Sequence, residues 1–366
     1  MITHQIIAAA GVQKLQPYIP GKPIEELQRE LGLNSIIKLA SNENPLGASE
    51  KIKAALAKEL NQLTRYPDGN GFILKKILSE KYSVELNQIT LGNGSNDVLE
   101  LIARAFLNQQ TSAIFSQHAF AVYPISVQAV GAQAIVTPAK NWGHDLAAMA
   151  DAVVGNTRVI FLANPNNPTG TWFTRAELTE FMQRIPKNVV VVLDEAYCEY
   201  AQPAEYPNGL DFLAQHKNLI ITRTFSKAYG LAALRVGYAL SSPELADILN
   251  RVRQPFNVNH FALVAASIAL QDDEYLEQSR ALNQVGMRQL EKGFSELNLS
   301  YIPSIGNFIA VDFASPADRV YEALLKLGVI VRPVKNYQMP TFLRVSIGTQ
   351  EENQRFLEFL AQVLIE

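Results

Sequence analysis

Short apolar runs that do not alternate with polar residues constrain this 366-residue chain more than any other feature. Ala113 to Ser116, Gln133 to Thr137, Val159 to Ala163, Val189 to Leu193, Leu219 to Thr222 and Val236 to Ser241 read as strands. The stretches between them, such as Thr174 to Ile185, have the spacing of amphipathic helices. Strands alternating with helices predict a parallel α/β sheet. Unbroken apolar runs are what such a sheet needs when helices cover both faces, because successive side chains point to opposite sides and neither side meets water.

Three of the runs lead into polar residues. Val159 to Ala163 leads into Asn164-Pro165-Asn166-Asn167-Pro168-Thr169-Gly170, and the valine run into Asp194-Glu195-Ala196-Tyr197. Leu219 to Thr222 precedes Thr224-Phe225-Ser226-Lys227-Ala228-Tyr229-Gly230, with Arg235 eight residues beyond the lysine. Ligands of open α/β sheets sit at the carboxyl ends of strands. An amide, a carboxylate and an amine on one sheet edge are the set that pyridoxal 5'-phosphate chemistry requires. Lys227 can form a Schiff base with an aldehyde, although a solvated turn lysine has the same local sequence. A carboxylate ending a valine strand is costly unless a cation or donors face it. Asp194 therefore reads either as the partner of a protonated pyridine nitrogen or as the cap of a helix after Ala196. Tyr197 and Asn167 can hydrogen-bond a phenolic oxygen; Asn167 also fits plain turn chemistry.

A phosphate needs cationic forks and backbone donors. Leu91-Gly92-Asn93-Gly94-Ser95-Asn96 follows a strand-like Gln88 to Leu91 and opens a helix to about Leu107. The amides of Ser95 and Asn96 suit an anion at that helix N-terminus. Asp97 stands where a dinucleotide-binding fingerprint has its third glycine. Thr224 and Ser226 add hydroxyls and Arg235 a planar charge. Phe120 is placed to stack on a cofactor ring or to pack in the core.

Residues 1–46 carry Pro17, Pro20, Pro23 and Pro45 and read as an irregular arm contributing to a smaller domain. Ser49 to Leu60 and Phe72 to Tyr82 read as helices, and residues 47–270 as the large cofactor-binding domain. Pro243 to Arg253 and Phe256 to Leu297 read as mainly helical. Asn307–Phe313, Val329–Arg332 and Phe342–Ile347, with helices at Pro316–Leu327 and at the end, make 271–366 a small α+β domain. Net charge is −3 with no basic run, so nucleic acid and membrane surfaces are poor partners. No window reaches the ~18 apolar residues of a spanning helix, and a cytoplasmic protein is expected. Cys198 is the single cysteine and reads as an inert, half-buried thiol; the five histidines show no metal-ligand spacing, so no metal is expected.

At these residues the chain resembles the fold type I pyridoxal-phosphate aminotransferases, and within them the histidinol-phosphate aminotransferases. The motifs span nearly the whole chain: Leu39 to Pro45, Arg65-Tyr66-Pro67, Gly92 to Asp97, Asn164 to Gly170, Asp194 to Tyr197, Thr224 to Tyr238 and Leu343-Arg344-Val345-Ser346. The resemblance implies that Lys227 carries the cofactor and shuttles the proton. It also implies Asp194 on the pyridine nitrogen, Asn167 and Tyr197 on the phenolic oxygen, Phe120 stacking, and Ser95, Asn96, Thr224, Ser226 and Arg235 on the phosphate. Tyr66 would reach the neighbouring subunit's site, which requires a homodimer. Arg344 and Arg332 match substrate-anion arginines, Tyr18 an arm residue that closes over the substrate, and Asn42 a further substrate-side residue.

The implied reaction is ping-pong transamination of L-histidinol phosphate with 2-oxoglutarate. Three rivals share parts of the pattern. An aromatic amino-acid aminotransferase has the same cofactor residues, a threonine-phosphate decarboxylase has the same fold, and a non-catalytic relative would have to lack the lysine or the carboxylate.

Overall fold

The structure is a computed structural model that describes residues 8–365. Its centre is a seven-stranded sheet in the order Ile89–Gly92, Gly237–Ser241, Leu219–Thr224, Val190–Asp194, Thr157–Ala163, Ser112–Ser116, Gln133–Thr137. Six strands run parallel and Gly237–Ser241 runs against its two neighbours. The reversal follows from the short link between Thr224 and Gly237. It holds only a single 3-10 turn, Ala232–Leu234, where a parallel return would need a crossover helix.

The valine strand shows why the apolar runs are continuous. Val191 and Leu193 enter one core with Leu219 and Ile221, while Val190 and Val192 enter the core on the other side with Ile220. Both faces are dry, so the strand has no polar positions until Asp194. Helices cover the two faces and start where their capping residues dictate. Thr174 accepts from the Glu177 amide and Glu177 returns the bond to the Thr174 amide, fixing the start of Arg175–Arg184. Ser49, Ser242 and Asn259 cap Glu50–Glu59, Pro243–Val252 and His260–Ala269, each by accepting one backbone amide of the first turn.

The expected helical stretch Phe256 to Leu297 is two helices, His260–Ala269 and Asp273–Glu296, and the second packs on the terminal helix Gln350–Ile365. A four-stranded antiparallel sheet, in the order Ser300–Ile302, Phe308–Asp312, Phe342–Ser346, Arg332–Pro333, lies beside them with its own core. The expected single strand Val329 to Arg332 is two short ones. Val329–Ile330 pairs with Ile37–Lys38 of the amino-terminal segment and Arg332–Pro333 with the small sheet.

The reading of residues 1–46 as irregular needs correction, because Ile24–Leu31 is an α-helix. Glu25 and Glu26 in its first turn and Arg29 in its last suit the helix dipole, and Gly32 closes it in the left-handed conformation at φ 66°. Proline punctuation hid it: Pro23 sits at the start of the helix, where it does no harm. Cys198 is partly buried, and burial pushes its thiol up. Among the described residues, no helix is long and apolar enough to cross a membrane and no group of side chains could hold a metal ion.

Gly237 lies where backbone meets backbone. A Cβ there would stand 2.5 Å from the Ser95 amide nitrogen and 2.9 Å from the Arg223 carbonyl. Gly237→Ala is expected to cost about 1–3 kcal/mol, as overpacking does, read from chemical denaturation. Gly155→Ala, with open space around it, should stay within about 0.5 kcal/mol of the parent.

Candidate active site

Every site residue expected from sequence except Tyr66 lines one cavity at the carboxyl ends of the parallel strands. Asp194 is the last residue of its strand and only 5% exposed. Its carboxylate oxygens accept from Tyr123 Oη at 2.8 Å and from Thr222 Oγ1 at 3.1 Å. Burial nevertheless pushes its pKa up to about 6, against the pull of those two hydrogen bonds. Asp194 caps no helix; it is a buried anion at the cavity wall that lacks a cation.

Lys227 follows the neighbouring strand and is half-buried. Its Nζ donates to the Ser41 carbonyl at 2.9 Å. Burial, then the nearby Arg344 charge, lowers its pKa to about 7, with Glu43 opposing and Arg235 adding to the shift. An amine so placed is about half unprotonated at neutral pH, far more than an ordinary lysine, and to that extent nucleophilic. The lysine is thus no solvated turn residue.

Gly94 precedes the helix Ser95–Phe106 at φ 87°, and no side chain caps that helix. Its first amides therefore keep their donors for a ligand. A Cβ at Gly94 would stand 2.6 Å from Arg235 Nη2, so only glycine lets this guanidinium lie across the helix N-terminus. Arg235 also reaches Ser226 Oγ at 3.3 Å, and Thr224 Oγ1 accepts the Ser226 amide at 3.1 Å. Uncapped amides, hydroxyls and a guanidinium in one cradle have the chemistry of a phosphate site.

The other end of the cavity is closed by a ring of side-chain hydrogen bonds. Arg344 Nη1 donates to Asn167 Oδ1 at 2.5 Å, and Asn167 Nδ2 donates to Tyr197 Oη at 3.0 Å. Asn42 Nδ2 donates to the same hydroxyl at 3.0 Å and Asn42 Oδ1 accepts from Ser346 Oγ at 3.0 Å. Arg344 and Ser346 share one strand of the small sheet, so the ring closes through it. With two amides donating to its oxygen, Tyr197 has its own proton free for the cavity. Burial pushes that phenol up to about 12, so it stays protonated. Arg344 Nε is buried without a partner. Arg332, 7% exposed, donates from Nη2 to the Ile19 carbonyl at 2.6 Å and lies 5.6 Å from the Tyr18 ring. Phe120 stands edge-on to Tyr123, with ring centroids 5.9 Å apart.

Tyr66 stands apart. It is 82% exposed and stacked on Phe256 at 4.7 Å, outside the cavity of its own chain. Sequence reasoning missed Tyr123, Thr222, Ser41 and Ser346. Each acts through one hydrogen bond to a site residue, or two in the case of Ser346 with Asn42, and nothing in a single sequence marks a tyrosine in a helix or a lone strand threonine as such a partner.

A family model described as aminotransferase class I and II matches residues 34–360. A histidinol-phosphate aminotransferase 2 of Pseudomonas fluorescens strain Pf0-1 is 65% identical over 360 residues, covering 98% of this chain and 97% of that protein. The crystal structure of histidinol-phosphate aminotransferase from Sinorhizobium meliloti in complex with pyridoxal-5'-phosphate aligns with a TM-score of 0.92 at 26% identity, over 100% of this chain and 99% of that one. The crystal structure of L-threonine-O-3-phosphate decarboxylase from Porphyromonas gingivalis aligns with a TM-score of 0.80 at 23% identity, over 90% and 100%, which reflects the shared fold alone.

Asp194 gives a prediction about the ligand-free protein. Its folded pKa of about 6 lies above an unfolded value near 3.9, so the folded state holds the proton more tightly. That stability is present below pH ~4 and lost as pH rises through 6. Asp194→Asn, which has no such proton to lose, should gain on the parent across this window by roughly 2–3 kcal/mol. The comparison is made by denaturation of both proteins at several pH values. A constant difference from pH 3 to 8 would show that Asp194 titrates normally.

Proposed function

The chain belongs to the class I and II aminotransferases, and we propose that it moves the amino group of L-histidinol phosphate to 2-oxoglutarate. The products are imidazole-acetol phosphate and glutamate, and pyridoxal 5'-phosphate is the cofactor. The cofactor residues would serve the aromatic aminotransferases equally well. The single observation that carries the substrate is therefore the likeness to histidinol-phosphate aminotransferases over almost the full chain.

The site fits the cofactor on its own chemistry. The cradle at Gly94, Ser95, Asn96, Thr224, Ser226 and Arg235 would hold the phosphate. Asp194 lacks a cation and would face the ring nitrogen, with Phe120 against the ring. Tyr197, its proton free and its oxygen fixed by Asn42 and Asn167, would donate to the phenolic oxygen. When bound, pyridoxal phosphate supplies an aldehyde that links to an amine and a ring that accepts the electron pair of a breaking C–H bond. Lys227 Nζ is the attachment point. With the substrate amine in its place, the same nitrogen would take the proton from the amine-bearing carbon and deliver it to the cofactor's former aldehyde carbon, and water would then release the keto product with the amine left on the cofactor. Asp194 would stay anionic beside a protonated ring nitrogen, which would offset the cost of its burial. Arg344 and Arg332 bind the substrate's phosphate in one half-reaction and the carboxylate of the 2-oxo acid in the other, both planar forks accepting either anion.

The proposed working form is a cytoplasmic homodimer in which Tyr66 enters the partner's site. Its exposed ring supports this, since it touches nothing in the cavity of its own chain. One free cysteine accords with a reducing compartment. The proposed division is an arm at 1–46, a cofactor domain at 47–270 and a small domain at 271–366. The helix His260–Ala269 packs on Glu50–Glu59 and Phe72–Tyr82, whereas Asp273–Glu296 packs on Gln350–Ile365, which supports the boundary.

Mixing the loaded enzyme with histidinol phosphate alone should convert the cofactor to its amine form. Phenylalanine converting it while histidinol phosphate does not would replace the substrate. Arg344→Ala should lower kcat/KM for both substrates roughly 100-fold, the loss typical of a buried charged contact. The dimer is checked by mixing inactive Lys227→Ala and Tyr66→Ala chains. Shared sites should restore part of the activity in the mixed dimers, and no recovery would place Tyr66 elsewhere.

A further inference from the structure

A buried ion pair that the reaction as described does not use lies directly behind Asp194. Glu195 and Arg223 are 1% and 7% exposed. Arg223 Nε and Nη2 both reach Glu195 Oε2, at 2.9 and 2.7 Å, and Nη2 extends to Asn208 Oδ1 at 3.2 Å. Glu195 Oε1 accepts the Gly209 amide at 2.8 Å, and a Cβ on Gly209 would stand 2.8 Å from that same oxygen. The Tyr82 ring lies 5.0 Å from the guanidinium carbon. Every contact is shaped to these two charges.

Their place in the sheet gives them a role. Asp194 and Thr222 are in register on neighbouring parallel strands, and Glu195 and Arg223 are the next residue of each. Successive side chains leave a strand on opposite faces. On the cavity side Thr222 bonds to Asp194, and on the far side the ion pair closes the same two strands, with the Glu195 amide bonded to the Thr222 carbonyl at 2.9 Å. Thr224, Ser226 and Lys227 follow Arg223 within four residues. A buried ion pair is seldom more stabilising than an apolar pair of the same volume, so its location calls for a reason other than stability.

We propose that Glu195 and Arg223 are positioning residues for the transamination. The pair pins the strand ends that carry Asp194 and the Thr224–Lys227 turn, and Arg223 across Glu195 opposes the field that the Glu195 carboxylate exerts on Asp194. The proposal rests on Asp194 being the partner of the cofactor ring. The other ionisable groups are the same in every variant of the test. Tyr82, Tyr206, Tyr238, Cys198 and Glu199 face the pair, Tyr123 and Tyr197 face Asp194, and Arg344, Glu43 and Arg235 act on Lys227. Glu199, held up at about 6 by burial, is charged in the range where the spectrum is read.

The test is a pH titration of the bound cofactor's absorbance in the holoenzyme, above pH 7. Glu195→Gln leaves an unpaired cation behind the site and should lower the midpoint by about half a pH unit. Arg223→Gln leaves an unpaired anion and should raise it by about as much. The double variant should return to the parent value. Arg223→Lys keeps the charge and loses the fork across Glu195 and Asn208. It should hold the midpoint and release cofactor several-fold more readily. A merely structural pair would move stability and leave the midpoint in place. Single variants that fold and shift together, or not at all, overturn the proposal. Should Arg223→Gln not fold, Glu195→Gln against the double variant decides: a lowered midpoint that the second change restores supports the pair, and an unmoved one overturns it. A parent protein that takes up no cofactor overturns the transamination reading instead, and this proposal with it.

Discussion

The closed ring of hydrogen bonds through Arg344, Asn167, Tyr197, Asn42 and Ser346 ties together three parts of the chain that the sequence keeps far apart. Asn42 comes from the amino-terminal segment, Asn167 and Tyr197 from the large sheet, and Arg344 and Ser346 from the small one. Each member is buried, so losing one partner strands another at a cost of about 1–3 kcal/mol. Such a ring is worth making only if it is complete. The two sheets therefore have one favoured relative position, and that position puts the guanidinium of Arg344 next to the hydroxyl of Tyr197. Geometry at the substrate end follows from this junction more than from either sheet alone.

Inside that frame two ionisable groups are held near neutrality from opposite directions. Burial raises Asp194 to about 6 and lowers Lys227 to about 7. Each is poorly solvated as an ion, and each is relieved by something that enters the cavity: a cation opposite the carboxylate, a covalent partner for the amine. Three arginines face the same cavity and favour anions. The ligand-free site is thus electrostatically incomplete in a pattern complementary to a phosphorylated pyridinium aldehyde, and binding energy for the cofactor comes from relieving that incompleteness.

The sheet was legible because its strands are buried on both faces, so Val189 to Leu193 and Leu219 to Thr222 carry an unmixed apolar signal. The polar residues that line the cavity were legible for a related reason: polar side chains at the ends of dry strands stand out. What stayed hidden acts through space. Tyr123 lies in a helix with nothing to mark it, yet it bonds to Asp194. Ser41 contributes only a carbonyl. The helix Ile24–Leu31 was masked by the prolines around it. The reversal of Gly237–Ser241 depended on how short the preceding link is once Arg223 and Thr224 prove to be strand, and the apolar pattern had ended that strand at Thr222.

The division between legible and hidden residues follows the division of labour in the site. Lys227, Asp194, Asn167 and the proposed phosphate cradle are fixed by strand ends and one helix start of the large sheet, elements whose local sequence largely determines their geometry. The proposed substrate contacts come from elsewhere. Arg332 is held by the Ile19 carbonyl and lies beside Tyr18, while Arg344 belongs to the small sheet and meets the cavity only across the junction. Their geometry depends on how separate parts of the chain pack, which no short motif records. A change in the arm can therefore alter which amine is accepted without touching the chemistry at Lys227, and this is why cofactor and fold are read from motifs while the substrate is read from likeness over the whole chain.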